Sequence, residues 1–176
     1  MEILIIGGVL VALMVLVSTK IKKSAAQAFE SEIIETEEFR LIKPAGFVHP
    51  LREVSDYVFE AYSKDFGEKN ERNIWRAQVY MTVLDGLHFN SVRKDVKKED
   101  GKILSEKFPK GNADSEKIYL IEKETSKDDT AFLEFREIVE SRKQQKTYDL
   151  KILVLKSFRQ DFVGRVDELV SSFQLK

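Results

Sequence analysis

The chain has 176 residues, of which 43% are apolar and 34% charged, enough for one globular domain with a real core but cramped for two. Lysines and arginines number 29 against 30 acids, a formal charge of -1 that carries no nucleic-acid signature, and the apolar content excludes intrinsic disorder. With no cysteine, disulfides, thiolate metal sites and cysteine nucleophiles are excluded together.

The first predicted element is the uncharged run Ile3 to Val17, which reads as a membrane anchor. With Ser18 and Thr19 it makes about 17 residues, roughly 25 Å of helix, near the lower limit for crossing a ~30 Å hydrocarbon layer. Lys20, Lys22 and Lys23 extend that reach by snorkelling to the headgroups at the membrane interface. Gly7, Gly8 and Ala12 make a small-residue face for packing against another transmembrane helix, set against the general abundance of glycine in such helices. Glu2 before the run and lysines after it place the amino terminus outside and the following domain in the cytoplasm. The competing reading is a secretory signal cleaved at Ala26-Gln27-Ala28. No basic region precedes the run and three lysines separate it from the alanines, so an uncleaved anchor over residues 1–20 is the expectation.

Residues 21–37 read as a juxtamembrane stalk, helical from Lys22 to about Glu35, and residues 38–176 as the soluble domain. Phe39 to Ile42 alternate as its first strand, stopped by Pro44 and Gly46, and Tyr57 to Tyr62 alternate weakly as another. In the clearest strand, Ile74 to Leu84, Trp75, Ala77, Val79, Met81 and Val83 fall on one face and Arg76, Gln78, Tyr80 and Thr82 on the other. That pattern assigns Trp75 to the core rather than to an interface. Asp85 is placed to cap a helix over roughly Leu87 to Lys98, ended by Gly101. Ile103 to Phe108 and Lys117 to Glu124 follow as strands, then Thr130 to Glu140 and Thr147 to Lys156 as a hairpin. Ser157 and Gln160 make a capping box, beyond which Phe158, Phe162, Val166, Leu169, Val170 and Phe173 recur at helical spacing. The order predicts an α+β fold, an antiparallel sheet covered by helices behind a single amino-terminal transmembrane helix.

A middle helix, long antiparallel strands and a closing helix ending Leu169-Val170-Ser171-Ser172-Phe173 resemble the PsbP-like domain, as does the opening strand from Phe39 followed by Pro44-Ala45-Gly46-Phe47. The resemblance covers about Glu38 to Lys176, and its matching positions, Phe39, Gly46, Phe47, Ser172 and Phe173, are structural. It implies a domain that is not an enzyme and that binds and stabilises a larger membrane assembly, in the best-known case a photosynthetic reaction centre. Family members usually lie outside the cytoplasm, so an extracytoplasmic domain stands as the alternative to the lysine argument.

Candidates for chemistry are few. His49, beside Pro50, and His88, on the first turn of the middle helix, share no ligand spacing, and a useful metal site needs three or four convergent ligands; capping or solvated roles are expected for both. Glu134 and Glu140 would share one strand face and Glu137 the other, with a solvent-facing surface as the expectation. Arg93, Lys94, Lys97 and Lys98 form a basic run that could meet lipid headgroups or an acidic partner, although Asp95, Glu99 and Asp100 are interleaved and favour a solvated face. No Ser-His-Asp arrangement, phosphate loop or dinucleotide fingerprint is present, and no catalytic residue, metal or cofactor is expected. Two roles follow: a membrane-anchored accessory subunit whose partners are the membrane and the integral subunits of a larger complex, with no nucleic acid; or a self-sufficient tethered module with a ligand or lipid pocket between sheet and helix.

Overall fold

A computed structural model describes residues 13–20, 22–23, 26–50, 55–67, 74–111 and 116–176. Ten strands and two longer helices follow in order: β1 (Glu32–Glu35), β2 (Phe39–Lys43), β3 (Phe47–Val48), β4 (Phe59–Ser63), β5 (Ala77–Asp85), α1 (Phe89–Lys98), β6 (Lys102–Lys107), β7 (Glu116–Lys127), β8 (Thr130–Ser141), β9 (Lys146–Leu155), α2 (Arg159–Ser172) and β10 (Gln174–Leu175). β3 to β9 build one antiparallel sheet in the order β3-β4-β5-β9-β8-β7-β6, and β1-β2-β10 build a small second one. The α+β architecture with antiparallel sheets is as expected.

The main core lies between the large sheet, the small sheet and α2. Ala77, Val79 and Met81 of β5 and Leu150, Ile152 and Val154 of β9 face Phe39 and Leu41 of β2 and Phe162, Val166 and Leu169 of α2. Burying each of these side chains other than Ala77 contributes about 1.5–3 kcal/mol, which explains why the period-two and period-3.6 patterns are so clear in β5, β9 and α2. The positions that carry the family resemblance do structural work here. Phe39 meets Tyr148 and Phe173 edge-on, and Ser172 Oγ accepts the Ile42 N–H at 2.9 Å. Gly46 turns with φ +89°, a region a side chain rarely adopts.

A smaller core sits on the opposite face of the sheet, where Phe89, Val92 and Val96 of α1 cover Tyr119, Ile121 and Ile138. Two buried charges of the sheet hold this helix. Glu140 Oε2 accepts the Phe89 N–H at 3.1 Å, and Lys123 Nζ donates to Val96 O and Glu99 O at 2.8 and 3.0 Å. A carboxylate at the amino end and an ammonium at the carboxyl end both suit the helix dipole. Burial pushes the Glu140 carboxyl up, but Lys117 and the Phe89 N–H outweigh it and leave it below its ordinary value.

Several local expectations are corrected. The stalk helix does not continue to Glu35. Residues 22–23 and 26–28 are helical, but Glu32–Glu35 is a strand paired with β2, which lets Ile34 pack against the main core. Asp85 ends β5 and does not cap α1, whose N-cap residue is His88. Ser157 lies in a 3-10 turn, Lys156–Phe158, and α2 starts without a side-chain cap. Of the proposed anchor, residues 13–20 are helical with Leu13, Met14, Val15, Leu16 and Val17 exposed. Among the described residues no helix is long and apolar enough to cross a membrane. Gly7, Gly8 and Ala12 lie outside the described residues.

The amino-terminal segment is fastened to the domain by Lys43, only 1% exposed, whose Nζ donates to Ala28 O, Glu30 O and Phe47 O at 3.2, 3.0 and 2.9 Å. The Gly46 N–H adds a bond to Phe29 O at 2.7 Å. Residues 28 and 30 are exposed, so water replaces the lysine at those carbonyls when it is removed. The Phe47 carbonyl is buried and loses its donor, so Lys43→Met is expected to cost about 1–3 kcal/mol while speeding proteolysis between residues 26 and 31; an unchanged cleavage rate there would show that the lysine does not hold the segment.

Candidate functional site

α1 covers only the β6-β7-β8 side of its face of the large sheet, and the remainder holds an open cleft of about 570 Å³. β4 and β5 supply its aromatic wall. Register pairs Glu60 with Tyr80 and Tyr62 with Gln78, so these four side chains share the face opposite the main core. Phe66 stacks on Trp75 at 4.0 Å and 21°, Trp75 on Tyr62 at 5.4 Å and 24°, Tyr62 meets Tyr80 edge-on at 6.0 Å, and Tyr80 meets Tyr57 at 4.7 Å. The result is a continuous ladder of five rings.

Trp75 corrects the expectation that it belongs to the core face. It forms an isolated bridge with Phe66, ahead of the first residue of β5, and the alternation breaks at Arg76, whose guanidinium lies 4.1 Å over the Phe158 ring. The indole thus reaches the cleft and not the main core.

Polar groups fix the rings and line the far wall. Tyr62 donates its hydroxyl to Glu60, whose second oxygen accepts Ser55 Oγ at 2.8 Å. Burial, and then the Glu60 carboxylate, hold the Tyr62 phenol above its ordinary value, so it stays a neutral donor. Tyr80 donates to Gln78 Oε1 at 2.6 Å. Across the cleft, Glu134 is 3% exposed, with Oε2 3.3 Å from Lys151 Nζ and Oε1 3.6 Å from Arg136 Nη1. Glu134 Oε1 accepts no hydrogen bond among the described residues. Arg136 is committed elsewhere, forking onto Asp149 at 2.7 and 2.6 Å and reaching Glu99 at 3.1 Å.

The three glutamates alternate in face as predicted, Glu134 and Glu140 toward α1 and Glu137 toward α2, but all are buried and not solvent-facing. β8 is an interior strand with a helix packed on each face, so these carboxylates are enclosed although Glu134 borders the cleft. The histidines stay apart: His49 contacts Glu60 O at 3.2 Å and Glu32 Oε2 at 3.3 Å, and His88 contacts Asp85 O at 2.9 Å. Among the described residues no cluster of histidines and carboxylates is placed to hold a metal. Of the basic run, Lys97 pairs with Glu106 and Lys98 with Asp95. Arg93 lies over the Phe108 and Tyr119 rings, and Lys94 is exposed. Lys20, Lys22 and Lys23 are exposed on the helical amino-terminal segment.

The aromatic cleft itself was the feature the sequence reading missed. Three of the 5 tyrosines and the single tryptophan fall between residues 57 and 80, and Tyr80 interrupts the otherwise polar face of its strand. An aromatic side chain on a face assigned to water is the signal that could have found it.

No family model matches the chain, and no curated protein matches it in sequence. Solved structures do. The cyanobacterial PsbP protein CyanoP of Synechocystis aligns with 84% of this chain and 94% of its own at a TM-score of 0.55 and 10% identity. The fold is PsbP-like. LpqN of Mycobacterium tuberculosis, described as involved in cell envelope biogenesis, aligns with 84% of this chain and 91% of its own at a TM-score of 0.60 and 9% identity. The Ran-binding protein Mog1p of Saccharomyces cerevisiae aligns with 84% and 96% at 0.50 and 12% identity. At such identities the PsbP-like likeness concerns the path of the backbone, and the cleft has to be interpreted from its own side chains.

Proposed function

We propose that this chain is a non-catalytic docking module, held beside a membrane by the apolar run Ile3 to Val17, whose aromatic cleft receives a protein surface of a larger membrane assembly. The observation that carries the docking role is the ladder Phe66-Trp75-Tyr62-Tyr80-Tyr57 on a sheet face that α1 leaves bare. Rigid, amphipathic rings around a concave centre are the side chains that dominate protein interfaces, and the Glu134 carboxylate of the cleft is engaged with Lys151. The name of one PsbP-like neighbour, the Ran-binding Mog1p, agrees with protein binding on this fold. The uncharged run and the lysines that follow it support the tether, and those lysines favour a cytoplasmic domain; protease access to closed vesicles distinguishes that side from the extracytoplasmic one. A self-contained ligand-binding role draws support from the cleft volume of about 570 Å³, which lies within the range of small-molecule sites.

Purification of the full chain in mild detergent followed by native mass measurement separates the two roles. The docking module is expected with other chains in fixed ratio, and Trp75→Ala is expected to weaken that complex roughly 30-fold, as for an interface anchor worth about 2 kcal/mol. A wild-type monomer or homodimer overturns the docking role.

A further inference from the structure

We infer that the cleft recognises a basic side chain, a lysine ammonium or an arginine guanidinium presented by the docking partner, with its donor on Glu134 Oε1 and its stem along the tyrosine rings. This rests on the docking role and adds the chemistry of what is docked. The first ground is the orphaned oxygen: Glu134 lines the cleft and is 3% exposed, and its Oε1 lacks a hydrogen-bond donor among the described residues. A buried carboxylate oxygen left in that condition costs free energy that a bound donor recovers.

The second ground is charge. Glu134, Asp149, Glu99 and, behind Tyr62, Glu60 set four carboxylates against the three cations Arg136, Lys151 and Lys123, the Lys123 ammonium being spent on the Val96 and Glu99 carbonyls, while Lys127 and Asp128 of the cleft lining offset each other. The tyrosine ring faces that the ladder leaves uncovered add the negative side of their quadrupoles. An anionic ligand meets repulsion from both sources, and a neutral aromatic one fills the rings but leaves Oε1 bare.

The third ground is reach. Strand pairing sets Tyr62, Gln78, Leu153 and Glu134 in one row across the sheet. Three interstrand steps make the row about 14 Å from Tyr62 to Glu134. The half-buried Leu153 lies between, an apolar seat for the methylene stem of an arginine or lysine whose head continues to the carboxylate. Lys151 competes for the same carboxylate from the rim.

Trp75 is the only tryptophan in the chain, so its fluorescence reports the cleft alone. Full chain in detergent is titrated with n-butylguanidinium and, separately, with the near-isosteric neutral n-butylurea at constant ionic strength. Saturable quenching by the guanidinium in the millimolar range is expected, at least ten-fold tighter than by the urea. Glu134→Gln should remove that preference, leaving the two probes within about two-fold. Lys151→Met should move the other way and tighten guanidinium binding three- to ten-fold, a gain that misfolding does not imitate. Equal binding of the two probes to the wild type, no binding of either, or a preference that survives Glu134→Gln overturns the inference. The docking role is judged separately by the co-purifying chains and their loss with Trp75→Ala.

Discussion

Glu137→Leu is expected to raise stability at pH 8 by about 2–4 kcal/mol and to flatten the pH dependence between pH 5 and 8. Glu137 stands opposite Leu120 and Leu150 on the main-core face of β8, is 6% exposed, and its Oε2 has no hydrogen-bond partner among the described residues. Burial pushes its carboxyl up to about 8 from the ordinary 4.5. A folded-state value above the unfolded one means that the native protein holds a proton the unfolded chain has released between those two values. Stability from this group is complete below about 4.5 and is lost as pH rises to 8, at roughly 1.4 kcal/mol per pH unit within the window. Glu140 works in the opposite sense: its lowered carboxyl contributes stability above its unfolded value of 4.5 and loses it as pH falls further. The two windows adjoin and do not cancel. Urea melts at pH 5, 6, 7 and 8 should therefore show a falling midpoint with a constant slope, and Glu137→Leu should level the series. A wild type equally stable at pH 5.5 and 8 would falsify the assignment of a neutral, desolvated acid at this position.

Much of the architecture was legible in the sequence because β5 and α2, which build much of the main core, bury mainly one side. β5 shows Ala77, Val79 and Met81 at period two, and α2 shows Phe162, Val166 and Leu169 at helical spacing, since their other faces are wet or polar. β8 hid its environment: with a helix on each side, Glu134, Glu137 and Glu140 look like a charged outer face although each is enclosed. Glu134 and Glu140 are buried with Lys117, Lys151 and Arg136 beside them, contributed by neighbouring strands or the same strand in a way that spacing along one strand does not reveal, whereas burial alone acts on Glu137. Glu32-Ile33-Ile34-Glu35 is too short for either period to emerge, and pairing with β2 makes it a strand instead of a continuation of the helix. The cleft was obscured by a single residue, Arg76, at which the strand alternation breaks and turns Trp75 away from the side its number implies.

The buried lysine of the sheet gives the second large effect. Lys123→Met is expected to destabilise the protein by about 3 kcal/mol, a fall in Tm of roughly 6–12 °C for a chain of this size. Lys43 and Lys123 are both 1% exposed and both donate to backbone carbonyls, but their acceptors differ. Two of the three Lys43 acceptors, Ala28 and Glu30, lie on an exposed segment that water reaches and only the Phe47 carbonyl is buried, whereas the Val96 carbonyl belongs to a fully buried residue at the last turn of α1. Without Lys123 that carbonyl keeps its desolvation cost and loses its donor. α1 has ten residues, too few to persist on helix propensity alone, so its hold on the sheet depends on Phe89 and Val96 and on the two charged ends at Glu140 and Lys123. Amide hydrogen exchange across Phe89 to Lys98 should accelerate far more than exchange in β9, and a uniform change in both would indicate global destabilisation instead. The consequence reaches the cleft, because Glu99 at the end of α1 holds Arg136, the neighbour of Glu134. A helix loosened at its carboxyl end frees Arg136 from Glu99 to turn onto Glu134 Oε1, where it competes with a bound cation. Lys123 stands opposite Glu134, so Lys123→Met also removes a cation beside that carboxylate, and this gain opposes the loss from the freed Arg136 in the guanidinium-over-urea preference of the cleft. The covered and the bare halves of this sheet face are then mechanically one surface, with α1 setting how strongly the open half attracts a positive charge.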